Sequence, residues 1–178
     1  MIKKVYPLSK VYRLIEPGPV VLVTTAGAKR PNIMTMSWHT MMEFEPPRIG
    51  CVLSNRNYSF DLLKASKECV INIPSMRLID KTVKCGNVSG KKTDKFSSLC
   101  LTPEPASRVK ALMIKECFSN LECRIADQQL VEKYNFFILE VLRAWIDPLR
   151  KNSRTIHHHG RGVFSCSGRK IKILSKAK

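Results

Sequence analysis

Short apolar runs bounded by turn residues recur along this chain, a pattern that predicts strands more than long helices. Residues 19–25 are rich in β-branched side chains and predict a buried strand. Gly27-Ala28-Lys29-Arg30 predicts a hairpin turn, and a second strand follows over 32–42. Pro46-Pro47 breaks it, and residues 48–54 predict a third strand. A fourth covers 69–73 and stops at Pro74. Residues 120–131 and 136–146, joined through Glu132-Lys133-Tyr134-Asn135, predict another hairpin, and 171–174 closes the set. Helices are fewer. Residues 59–67 start at the capping Ser59, with Phe60, Leu62 and Leu63 apolar. Residues 75–84 carry Met76, Ile79 and Val83 at helical spacing, with Gly86 beyond the end. Residues 105–115 are a further helical candidate. Many strands with short helices predict a mainly β domain, a barrel or a sandwich.

The length of 178 residues suits one domain, taken as 1–178, because no repeat, low-complexity tract or Gly/Ser linker divides it. Hydrophobic residues at 44% and charged residues at 25% exclude a disordered chain. Charge changes the picture more: 31 Lys and Arg against 14 Asp and Glu leave a formal +17. Such a surface attracts anions: nucleic acid, an acidic membrane face, an acidic protein or a phosphorylated cofactor. A basic nucleic-acid-binding β-barrel without flavin is therefore the alternative reading. It calls for aromatics interleaved with cations on one sheet face. Aromatics are only 7%, and the basic residues are spread along the whole chain.

The seven cysteines are odd in number and form no Cys-x-x-Cys pair, which argues against a disulfide framework and a zinc ribbon. Free thiols point to a reducing compartment. The first residues lack the apolar stretch of a signal peptide, and no apolar run approaches a bilayer span. The expected location is cytoplasmic, without membrane contact.

Three segments carry candidate chemistry. Ser54-Asn55-Arg56-Asn57-Tyr58-Ser59 lies between a strand and a helix. Free N–H groups and the positive end of the dipole suit a phosphate there, and Arg56 adds a charge-assisted donor. An ordinary N-cap accounts for the same residues. Asn32-Ile33-Met34-Thr35-Met36-Ser37-Trp38-His39-Thr40 sets polar groups beside a large aromatic, which suits the edge and face of a flat heteroaromatic ligand. A half-buried strand with Trp38 in the core is the blander account. The loop from Cys85 to Phe96 carries glycine, serine and lysine but lacks Walker A spacing. His157-His158-His159 cannot converge on one metal from a strand, since neighbours point to opposite faces. The basic stretch 169–178 reads as a solvated tail. No nucleophile elbow, zinc-protease helix or paired-carboxylate pattern occurs, so no catalytic residue and no metal site is expected.

Taken in order, these segments resemble the flavin reductase-like, FMN-binding split-barrel proteins, and among them the flavoredoxin-like group. The matching pieces are the 19–25 strand, Asn32 to Thr40, Pro46-Pro47-Arg48-Ile49-Gly50 and Ser54 to Ser59. Glu68 to Pro74, Cys85 to Gly90, Asp94-Lys95-Phe96, Leu121-Glu122-Cys123 and Phe136 to Val141 complete them. The resemblance covers roughly residues 5–175.

The resemblance implies a six-stranded antiparallel split β-barrel with a few short helices, a homodimer, and one noncovalent FMN per subunit. It implies that Asn32, Met34, Thr35, Met36, Ser37 and Trp38 line the isoalloxazine and ribityl chain. Ser54, Asn57 and Ser59 would hold the phosphate, helped by Arg56. Lys95 would sit near the ring, with Ser89 from the loop before it, and stabilise negative charge on the reduced flavin. Asn135 and Phe164 would approach from the other side, either within the same subunit or from the second one. The protein would be a flavin-dependent oxidoreductase of the NAD(P)H:flavin or ferric reductase type, or an electron carrier, with NAD(P)H or a ferredoxin-like donor. The cofactor would supply the redox chemistry, which fits the missing catalytic constellation. Two departures stand out. Tyr134-Asn135 replace a histidine common in the hairpin turn, and the 89–95 loop is more basic than usual, which favours an acidic redox partner.

Overall fold

The computed structural model describes residues 3–11, 19–27, 30–150, 153–159 and 162–168. Part of the 27–30 turn, the 171–174 strand and the basic tail lie outside these residues. The described strands are β1 (Lys4–Tyr6), β2 (Val21–Thr25), β3 (Asn32–Met36), β4 (His39–Phe44), β5 (Pro47–Val52) and β6 (Glu68–Ile73). They continue with β7 (Pro103–Glu104), β8 (Met113–Ile114), β9 (Ser119–Asp127), β10 (Phe136–Ile146), β11 (Ile156–His158) and β12 (Phe164–Cys166). The helices are α1 (Tyr58–Ser66), α2 (Ile79–Asn87), α3 (Lys95–Ser98) and α4 (Val131–Tyr134).

One antiparallel sheet dominates, in the order β3-β2-β6-β9-β10-β5-β4 with β1 added on β10. It has eight strands, not the expected six. The additional pairing follows from the length of β10. Its residues 136–140 pair with β5 and its residues 144–146 pair with β1, while β9 runs along the opposite edge. The strands β3 and β4 stand at the two ends of this order, yet only Ser37 and Trp38 separate them in sequence. The sheet must therefore curl until its ends meet, and they meet without pairing. That seam is the split in the barrel. It also corrects the single strand expected over 32–42, which is two strands belonging to opposite ends of one sheet. Local β-propensity runs through the corner unbroken, so the sequence pattern hides it.

The curled sheet encloses a core around Val21, Val23, Leu53, Leu63, Ile71 and Leu139. Phe60 of α1 meets Phe137 of β10 edge to face, with ring centroids 5.4 Å apart. Leu22 and Ile33 belong to a second cluster, with Leu78, Cys85 and Phe96 from the segments carrying α2 and α3. Strand β2 is thus buried on both faces, which explains why every residue of it is buried. Burial of the larger of these side chains is worth roughly 1.5–3 kcal/mol each.

The helix expected over 105–115 does not form. Pro103–Glu104 and Met113–Ile114 pair as a small ribbon instead. The intervening N–H groups find carboxylates: Ser107 and Arg108 donate to the buried Glu122, and Lys110 donates to Glu68. Backbone groups satisfied this way no longer need a helix. The strand expected to reach 131 stops at Asp127, where the chain turns into α4. Residues 75–84 begin as a tight turn over Met76–Leu78 before α2, so Gly86 falls inside the helix, not beyond it. The β11–β12 hairpin had no clear signal in the sequence. Among the described residues no helix is long and apolar enough to cross a membrane.

Candidate functional site

Strand β3 is the free end of the sheet, and a chain of adjoining clefts runs beside it. The first, of about 270 Å³, lies between β3, the start of α1, the end of α2 and the loop before α3. A second, of about 300 Å³, opens toward α2 and the β11–β12 hairpin. A third, of about 470 Å³, lies between β3, the Ser37-Trp38 corner, the end of β5 and the turn before α1. Thr35 borders all three. These walls bring the expected residues together. Asn32, Met34, Thr35, Arg56, Asn57, Ser59, Ser89 and Lys95 line the first cleft. Phe164 joins Met36 and Ser37 in the second. Trp38, Ser54 and Asn135 join Met34 and Asn57 in the third. Asn135 and Phe164 reach these clefts from the same chain.

The first cleft is built to receive an anion. The turn before α1 is drawn tight by the Asn57 N–H donating to the Ser54 carbonyl at 2.9 Å. Asn57 is the N-cap, but its side chain makes no capping bond and remains available to the cleft. The first N–H groups of a helix have no partner within it, so those of α1 carry partial positive charge toward this turn. Asn32 donates through Nδ2 to the Ser59 hydroxyl at 2.7 Å. Ser59 therefore accepts from below and keeps its own proton for a ligand. The Asn32 Oδ1 is buried with no partner among the described residues.

Lys95 adds a buried cation. It is only 5% exposed, and its ammonium donates to the Cys85 carbonyl at 2.8 Å, with the Cys85 thiol at 4.0 Å. No carboxylate balances it among the described residues. Burial pulls its pKa below the ordinary 10.5, opposed by Cys85. Burial likewise pushes the Cys85 thiol up, opposed by Lys95 and by a bond with Thr35. The tripeptide Asp94-Lys95-Phe96 thus divides its labour. Asp94 caps α3 by accepting from the Ser97 N–H, Lys95 enters the cleft, and Phe96 fills the second core. Arg30 holds the loop above by donating to the Gly90 and Lys91 carbonyls.

The other walls have different characters. The Thr35 hydroxyl already donates to the Thr82 carbonyl at 2.8 Å, which ties β3 to α2. Trp38 is 71% exposed, so it is not a core residue. Asn135 adopts the left-handed region at φ 56°, which asparagine tolerates, and its carbonyl accepts from the Leu53 N–H. Tyr58, Thr82, Val83, Cys85, Gly86, Asn87 and His158 also line the clefts and were not singled out as site residues. Gly86 of α2 faces Thr35 of β3, where an added Cβ would make only ordinary contact at 3.5 Å. His158 lies against Phe164, with ring centroids 4.8 Å apart. His157 bonds to Thr155 and His159 to Ser165.

Residues 12–165 match the family model of the flavin reductase like domain. The chain belongs to this family. An uncharacterized protein of Archaeoglobus fulgidus is 31% identical to this flavin reductase-like chain over 80% of its length and 74% of the relative's. An FMN-binding domain of a flavin reductase-like enzyme from Shewanella baltica shares the fold with a TM-score of 0.91, at 23% identity over 97% of this chain and 98% of that one. Flavoredoxin of Desulfovibrio vulgaris superimposes with a TM-score of 0.81, at 25% identity over 90% of this chain and 92% of that one. The flavin reductase-like fold is the split barrel expected from the sequence.

Proposed function

We propose that this protein binds FMN noncovalently and acts as a flavin-dependent oxidoreductase, passing electrons from NAD(P)H or a reduced protein partner to an acceptor. The observation that carries this reading is the first cleft. A helix N-terminus, the free Ser59 proton, Arg56 and the unbalanced Lys95 converge there, in a chain of the flavin reductase-like family. A phosphate dianion suits that donor set. The unpartnered Asn32 Oδ1 beside it suits a ribityl hydroxyl. When bound, the isoalloxazine ring supplies the electron-accepting chemistry.

The chain's own residues would bind and orient. Asn57, Ser59 and Arg56 hold the phosphate. Lys95 supplies positive charge in the first cleft, which it lines together with Arg56, and it does not line the third cleft of Trp38. Met34, Met36 and Trp38 offer apolar surface along the third cleft to a flat ring. A homodimer follows on the same reading, because Trp38 and the 47% exposed Met42 leave apolar surface beside the edge strand β4.

Titration with FMN, followed by flavin absorbance and fluorescence, tests this reading. Saturable binding at one equivalent is expected. Rapid mixing of the loaded protein with NADH, NADPH or a reduced ferredoxin should bleach the flavin with one of them. A folded protein that ignores FMN would overturn it.

A further inference from the structure

A second basic groove, of about 350 Å³, lies at the other end of α2 from the flavin cleft. Arg77, Arg150 and Arg154 line it, with Ser75 and Ser153. The Met76 N–H donates to the Arg154 carbonyl at 2.9 Å, which holds the two arginine-bearing segments side by side. Arg150 has a partial counter-charge, since its Nε lies 3.6 Å from the buried Asp147 carboxylate. Arg77 and Arg154 have no carboxylate partner among the described residues. Ser75 is only 5% exposed, and its side chain makes no capping bond at the turn it precedes. Two guanidiniums without a carboxylate partner, beside a serine that lines the same groove, make a recognition set for a phosphate dianion.

Two segments lead from this groove to the flavin cleft. One runs from Arg77 into α2 and reaches Val83, a rise of about 10 Å. The other runs from Arg154 along β11 to His158, about 13 Å. Val83 and His158 both line the second cleft, where His158 meets Phe164. An elongated ligand with an anion at one end and flat rings at the other matches this layout.

We propose that Arg77, Arg154, Arg150 and Ser75 form a site for a phosphomonoester, and that its occupant is the 2′-phosphate of NADPH. The assignment to NADPH rests on the flavin-dependent reading above; the anion site itself stands on the groove alone. The arginines then select NADPH over NADH, and the dinucleotide lies along α2 and β11 toward the cleft.

Calorimetric titration with adenosine 2′,5′-bisphosphate, ADP and inorganic phosphate tests the site on wild type and the Arg77→Gln/Arg154→Gln double variant. Wild type should bind the 2′,5′-bisphosphate roughly tenfold or more tightly than ADP, as hydrogen bonds to charged groups warrant. The double variant should lose that preference and keep its FMN affinity. Equal binding of both nucleotides, or a preference that survives the substitutions, overturns the proposal. Inorganic phosphate binding as tightly as the bisphosphate, with the same arginine dependence, puts free phosphate in the groove and overturns the NADPH assignment. In FMN-loaded protein, the double variant should raise KM for NADPH and leave that for NADH unchanged. A protein that takes no FMN would defeat the flavin reading, while the calorimetric comparison would still report on the anion site.

Discussion

Asn32 and Ser59, both buried, are joined by a 2.7 Å hydrogen bond from the amide to the hydroxyl. This one contact fastens the free edge of β3 to the first turn of α1, and so holds the two walls of the anion cleft at a set spacing. Ser59→Ala would leave the Asn32 amide without its partner, at a cost of about 1–3 kcal/mol in stability. It should also weaken FMN binding. Asn57→Ala removes a side chain that makes no capping bond, so it should weaken FMN binding while changing stability by no more than about 0.5 kcal/mol. Urea unfolding of both variants, paired with FMN titration, separates the two roles. Equal stability losses in both would contradict the arrangement.

Gly90 approaches the same asparagine. A methyl group on Gly90 would run into the Asn32 side-chain amide. Gly90→Ala should therefore displace Asn32 and lower FMN affinity by about tenfold, as the loss of one well-placed hydrogen bond would. Unaltered FMN binding in this variant would mean that Asn32 does not shape the cleft.

Lys95 links ligand binding to pH. Burial lowers its pKa below the ordinary 10.5. Without ligand it sheds its proton earlier than a free lysine, whereas a bound phosphate dianion would draw the proton back. FMN affinity should therefore fall as pH rises toward 10.5, with proton uptake on binding in that window. The sign for folding is opposite. Between the lowered pKa and 10.5 the unfolded chain holds more protons, so this group makes the ligand-free protein more stable as pH rises. Lys95→Met should weaken FMN binding by about 1.5–3 kcal/mol and flatten the alkaline dependence. A variant with the wild-type pH profile would remove Lys95 from the site.

His39 reports on the seam. Its Nε2 is 2.6 Å from the Pro19 carbonyl, while its Nδ1 is buried without a partner among the described residues. Burial lowers its pKa from 6.5, and the bond to Pro19 opposes that only in part. The folded protein therefore holds His39 neutral where the unfolded chain would already be protonated. Stability should fall as pH drops below 6.5. Thermal melts at acidic and neutral pH would show a smaller difference for His39→Gln than for wild type, and identical differences would exclude this histidine as the cause.

Much of the fold was legible because its signals are local. The run of 136–146 was expected as one strand and is β10 with the same limits. The β-branched 19–25 segment contains β2, and the Ser59 helix differs from α1 by one residue at each end. Where long-range partners overrode local preference, the pattern misled. Glu122 captures the N–H groups that a helix over 105–115 would have used. Ser37 and Trp38 carry the chain from one end of the sheet to the other.

The sequence by itself determined the mainly β class, the principal strands, the α1 turn as an anion-suited segment, and the family, because alternation, turn residues and ordered motifs are properties of neighbouring positions. Only the tertiary structure decided which strand edges stay open, that Lys95 enters the cleft of Arg56 and Ser59, and that Arg77 stands beside Arg154. Those outcomes depend on how the long β10 and the curled sheet bring distant segments together, and no local pattern encodes a pairing between residues so far apart in the chain.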